Sequence, residues 1–273
     1  MKIAAAVTTA LTIAMLAACH NSDTKKTAAN GDNPANSYPA FVGELMDAVK
    51  QQPDNNPMRV RLALVLDSLG QYSTAFNQID TAVTKDTGNN VLWIKRGNIA
   101  EDAGDTLAAM YSYAKALHIY ETPDALLWLA KLYAETKNPR ALLIASRIKA
   151  LALGKQYDAH SAYVAGVYYA RTGKEQEALE KFDECIGYNY TYMEAYIEKG
   201  MVYFDNKQYA DALDVFQFAA TVNSLNADAY YYQAKCYEAM QKKDSAVQKY
   251  KQSLSLNKGL KEAHDGLKRL GAE

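Results

Sequence analysis

The chain lacks a net charge of either sign: Lys and Arg number 30 against 31 Asp and Glu, a balance that argues against a protein that grips nucleic-acid phosphates. Pro and Gly are scarce, at 6 and 14 residues, which counts against a turn-rich all-β chain. Chemical motifs are scarce too. There is no Gly-rich phosphate loop, no Gly-x-Ser-x-Gly elbow and no Cys-x-x-Cys pair. His20, His118, His160 and His264 never fall at a spacing that would place two on one helical face, so no metal, cofactor or catalytic residue set is expected, and each His reads as a surface or groove residue. What is present is 49% hydrophobic residues in 273, enough for one extended domain or two compact ones, and 21 Tyr, which suit long helices that bury amphipathic rings.

The front of the chain has its own logic. Lys2 precedes an apolar run, Ile3 to Ala18, too short for a permanent bilayer span and placed like an export signal. It ends in Leu16-Ala17-Ala18-Cys19, which resembles the bacterial lipobox, the site where the signal is cut and the new N-terminal Cys receives lipid. That resemblance implies residues 1–18 as a lipoprotein signal peptide and Cys19 as the lipidated residue. Two or more acyl chains hold a protein stably on a membrane where one holds it marginally. Residues 19–37 are polar without apolar periodicity, the composition of a disordered tether reaching on the order of 20 to 25 Å.

Beyond residue 38 the chain repeats itself every 34 residues. Small residues recur at Ala63, Gly97, Ala130, Gly166, Gly200 and Ala234; a second ladder follows at Ala75, Ala109, Ala141, Ala178, Ala212 and Ala246. Helices that cross at close range require Gly or Ala where their axes approach. Around them come Leu66, Ala100, Tyr133, Tyr169, Tyr203 and Tyr237 three after the first ladder, and Ile79, Tyr113, Ala145, Phe182, Phe216 and Tyr250 four after the second, mostly larger residues. Each unit thus holds two amphipathic stretches joined by a short polar turn, such as RTGKEQ or DNKQYAD, with no alternation of strand type.

This pattern resembles the tetratricopeptide repeat (TPR) family, whose signature places a small residue and then Tyr on a first helix and Ala and Phe on a second. The resemblance implies an all-α fold, a right-handed TPR superhelix of six hairpins at 56–89, 90–123, 124–158, 159–192, 193–226 and 227–260. An N-terminal half repeat at 38–55 and a C-terminal capping helix at 261–273 complete the stack. The third unit departs most, one residue short and with Pro139 opening its second helix. Cys185 and Cys236 take positions filled elsewhere by small or medium residues and read as buried reduced thiols.

In the family the first helices line the concave face, and that assignment implies a groove formed by Ile94, Asn98, Leu127, Lys131, Tyr163, Val167, Ile197, Met201, Phe204, Tyr231 and Lys235. Across the implied positions ten acids (Asp67, Glu101, Asp102, Asp124, Glu135, Glu194, Glu198, Asp205, Asp228, Glu238) face five bases (Arg61, Lys95, Lys131, Arg171, Lys235). An acidic tail would be repelled, so the expected partner is another envelope protein or peptide segment with apolar anchors and some basic character. Two readings follow: a lipid-anchored, non-catalytic adaptor at the cell envelope, or a fixed part of a secretion, pilus or outer-membrane assembly. Neither reading fixes the oligomeric state.

Overall fold

The computed structural model describes residues 39–272. The chain divides into two units, Met1–Pro39 and Ala40–Glu273. The expected signal peptide, Cys19 and the tether lie outside the described residues.

Residues 40–269 form fourteen helices, and no strand occurs among the described residues. Helix α1 (Ala40–Gln51) precedes six hairpins: α2 (Asn56–Ser68) with α3 (Tyr72–Lys85), α4 (Asn90–Asp102) with α5 (Thr106–Ile119), and α6 (Pro123–Glu135) with α7 (Arg140–Ala150). Then come α8 (Lys155–Arg171) with α9 (Glu175–Tyr188), α10 (Met193–Asp205) with α11 (Tyr209–Val222), and α12 (Ala227–Ala239) with α13 (Lys243–Leu256). Helix α14 (Lys261–Arg269) closes the array. Side chains of Asn55, Asn89, Asp105, Thr122 and Asn226 cap α2, α4, α5, α6 and α12 by accepting from backbone N–H groups of the first turn.

The ladders pack as their residue sizes demand. Ala63, Ala130 and Ala234, with the second-ladder residues Ala75 to Ala246, are fully or almost fully buried. A Cβ added to Gly97, Gly166 or Gly200 would run into the ring of Tyr113, Phe182 or Phe216 on the second helix of the same hairpin. Gly266 on α14 meets Tyr250 in the same way. Cys185 and Cys236 are buried free thiols, and burial pushes both up to about 12.

Each hairpin turn places one residue in the left-handed region: Gly70, Gly104, Lys137, Gly173, Lys207 and Gln241, at φ 71°, 76°, 59°, 75°, 62° and 61°. A residue with a Cβ pays a steric penalty there that glycine avoids.

The third hairpin differs from the rest. Helix α7 has only 11 residues, and Ala145 stands where other second helices carry Ile or a ring. The chain leaves α7 through left-handed Ala152 and Gly154, and α8 starts at Lys155, four residues before the boundary expected at 159. With so slight a second helix between them, α6 packs directly on α8.

First helices of successive hairpins also touch at α2–α4, α8–α10 and α10–α12. In a curved array the helices that close on one another across hairpins line the inner radius, so α2, α4, α6, α8, α10 and α12 form the concave face.

Candidate functional site

Three adjoining cavities follow this inner face from α6 to α12. The first, about 270 Å³, is lined by Asp124, Leu127, Trp128 and Lys131 of α6, His160, Tyr163 and Val164 of α8, and Tyr192 and Glu194 at the start of α10. The second, about 190 Å³, shares Tyr163 and Glu194 with it and adds Met193, Ile197, Glu198, Asn226 and Asp228. The third, about 360 Å³, shares Glu198 and adds Lys137, Arg171, Met201, Val202 and Asp205 among others. A continuous groove results, floored by apolar side chains and edged by carboxylates.

Local packing explains why the groove holds its shape. Tyr163 stacks on Tyr192 with centroids 5.0 Å apart, and Tyr192 meets the His160 ring edge-on at 5.2 Å. His160 Nδ1 and the Tyr192 hydroxyl share a hydrogen bond of 2.8 Å. Burial, partly opposed by the charges of Asp124 and Glu194, lowers the His160 pKa, so its ring is neutral at neutral pH. Along the groove, Arg171 donates to Glu135 at 2.8 Å and grips Glu198 with two bonds of 2.9 Å. One guanidinium therefore ties α6, α8 and α10 together.

The ion pairs change the charge census. Glu135 and Glu198 are taken by Arg171, Glu238 by Arg269, and Glu101 lies 3.8 Å from Lys131. Glu194 and Asp228 have no ion pair among the described residues, and Asp124 accepts only from the Tyr157 hydroxyl at 3.0 Å. The middle of the groove thus keeps Asp124, Glu194 and Asp228 as carboxylates without an ion pair among the described residues. At the other end Asp67 and Asp102 interact; burial and then the charge of Asp102 raise the Asp67 carboxyl to about 6.

Of the residues expected in the groove, Leu127, Lys131, Tyr163, Ile197 and Met201 are brought together by these cavities. Ile94 and Asn98 lie on α4 outside them, and Asn98 accepts from the Tyr113 hydroxyl at 2.8 Å. Phe204 packs against Tyr209 at 5.1 Å and beneath the Lys235 ammonium, also at 5.1 Å, while Tyr231 packs against Tyr232 and Tyr250. Val167 requires correction: at 1% exposure it belongs to the core cluster shared with Ala130, Tyr163 and Val202, because α6 presses directly on α8 and closes over it. Sequence reasoning left His160 as a surface or groove residue, and the structure places it in the groove; it did not select Tyr192, which sits in the connection before α10, outside the first-helix stripe.

Residues 197–259 match the tetratricopeptide repeat family model. No curated protein matches the sequence. Among solved structures, the fold is similar to a tetratricopeptide repeat protein from Parabacteroides merdae, at TM-score 0.71 and 19% identity over 84% of this chain and 91% of that one. It is similar also to PilW, a type IV pilus biogenesis factor, at TM-score 0.59 and 19% identity over 78% of this chain and 99% of that one. Yeast Tom70 gives TM-score 0.56 and 14% identity over 87% of this chain and 59% of that one. The described array is therefore an α-solenoid of TPR type.

Proposed function

We propose that this protein is a lipid-anchored adaptor or scaffold of the cell envelope, non-catalytic, which binds a segment of another envelope protein in its concave groove. The observation that carries the reading is the continuity of the groove across α6, α8, α10 and α12, with cavities that share Tyr163, Glu194 and Glu198. Such a run suits an extended or helical segment better than a compact small molecule. Among the described residues no helix is long and apolar enough to cross a membrane, so attachment in this reading rests on lipid at Cys19, with the outer membrane facing the periplasm as the proposed location.

Photo-crosslinking in cells tests the groove. A probe at Met201, on the inner helix α10, is expected to capture a discrete protein that a probe at Lys181, on the outer helix α9, does not. Equal behaviour at the two positions overturns the groove reading. Cys19→Ser tests the anchor, and the variant is expected to leave the membrane fraction and lose the acyl mass at its N-terminus.

The fold similarity to PilW motivates a second reading, a fixed, pilotin-like component of a secretion, pilus or outer-membrane assembly. After mild detergent extraction an adaptor sediments as a small species and exchanges its partner; an assembly component sediments with a large complex.

A further inference from the structure

We propose that the cavity between α6, α8 and α10 is a receptor for one Lys or Arg side chain of the bound segment. The proposal rests on the groove reading and adds the chemistry that selects the segment. At about 270 Å³ the cavity is smaller than sites that enclose a whole drug-sized ligand, yet it opens along the groove toward a second cavity, as a pocket for one long side chain of a longer chain would.

Its walls are aromatic and preorganised. Trp128 stands on the α6 side, its ring 5.6 Å from that of Tyr113, and the stacked pair Tyr163 and Tyr192 stands on the other. The hydrogen bond between His160 and Tyr192 fixes that second wall before anything binds. Aromatic faces favour a cation, and they also accept the apolar stem of Lys or Arg.

The charges agree. Asp124 and Glu194 sit in the first turns of α6 and α10 and both line the cavity. Neither has a cationic partner among the described residues, and Glu194 also lines the second cavity. Lys131 is the one cation in the lining, and its ammonium turns toward Glu101 of the preceding hairpin. A basic side chain entering the cavity would supply the counter-charge that these carboxylates lack.

The test uses the full chain and pools of short synthetic peptides with flanks randomised over Ala, Leu, Tyr and Ser. The central residue is Arg, Lys, citrulline, norleucine or Glu, and binding is read by fluorescence anisotropy. Arg and Lys pools are expected to bind at least about tenfold more tightly than the citrulline and norleucine pools. That preference should disappear in Asp124→Asn/Glu194→Gln while norleucine binding persists, which shows the variant is folded. Lys131→Ala should strengthen Arg-pool binding by about two- to threefold, and this gain cannot come from misfolding. Equal binding of Arg and citrulline, or a preference that survives the double substitution, overturns the proposal and leaves the groove reading intact. Binding by no pool overturns both.

Discussion

The third and fifth hairpins are built from one repeat and reach opposite packing solutions. In the fifth, Gly200 receives the ring of Phe216, and α10 and α11 lock face to face. In the third, Ala130 faces a helix that carries Ala145 and ends after 11 residues. What α7 is too short and too small to cover is covered by the next hairpin instead: α6 closes on α8, and the first groove cavity opens beside their junction. Irregularity in a solenoid can therefore mark the place where the array exchanges internal packing for a receptive surface.

Substitutions in both hairpins put this contrast to the test. The largest effect is expected from Phe216→Ala, about 3–5 kcal/mol by urea denaturation, against about 1 kcal/mol for Ala145→Gly in the third hairpin. Hydrogen exchange should show protection falling first in α10 and α11, because neighbouring units couple only through their shared interfaces. Gly200→Ala comes next at about 1–3 kcal/mol, since the added carbon meets a buried ring that has nowhere to go. Combining it with Phe216→Ile copies the Ala63 and Ile79 pair of the first hairpin. A double-mutant cycle should then show a favourable coupling of about 1 kcal/mol, and additivity would refute the size-matching argument.

Arg171→Met should cost about 1–2 kcal/mol, because the guanidinium is only 30% exposed and its removal leaves Glu135 and Glu198 without their shared counter-ion. Asp67→Asn should have the smallest effect and a distinctive pH signature. The Asp67 carboxyl titrates near 6 when folded and near the usual 3.8 when unfolded, so the native state holds that proton more tightly. Stability from this group is present below about pH 4 and lost as pH rises through 6. Relative to wild type, the Asn variant should be unchanged at pH 4 and more stable at pH 7.5, by about 1 kcal/mol after allowance for solvent screening.

Much of the fold was legible because the 34-residue spacing constrains both helices of every hairpin at once. Helices α2, α4, α10, α12 and α14 begin at 56, 90, 193, 227 and 261, the first residues of their expected units. The spacing failed at α8, where a left-handed exit at Ala152 and Gly154 reset the register by a turn, a local backbone event that no side-chain ladder reports. The site was half legible. Ile197 and Met201 follow from helical phase alone, but Val167 has the same phase and is buried, since phase says which way a residue faces and not how near the next helix stands. Which carboxylates of the groove centre stay unpaired was hidden for a related reason: it depends on which ones Arg171 takes, and those two partners lie 27 and 36 positions away from it.

The left-handed turns bear on how this molecule could be re-engineered. Half of those six positions are held by glycine, and Lys137, Lys207 and Gln241 carry the same conformation with a side chain attached. Each sits inside a hairpin, away from the seams between hairpins, so glycine at those points would relieve about 1 kcal/mol of steric strain apiece, less the entropy that glycine adds to the unfolded chain. The protein thus holds an untapped thermal reserve at Lys207 and Gln241, which line none of the three groove cavities, whereas glycine at Lys137 would also remove a side chain from the third.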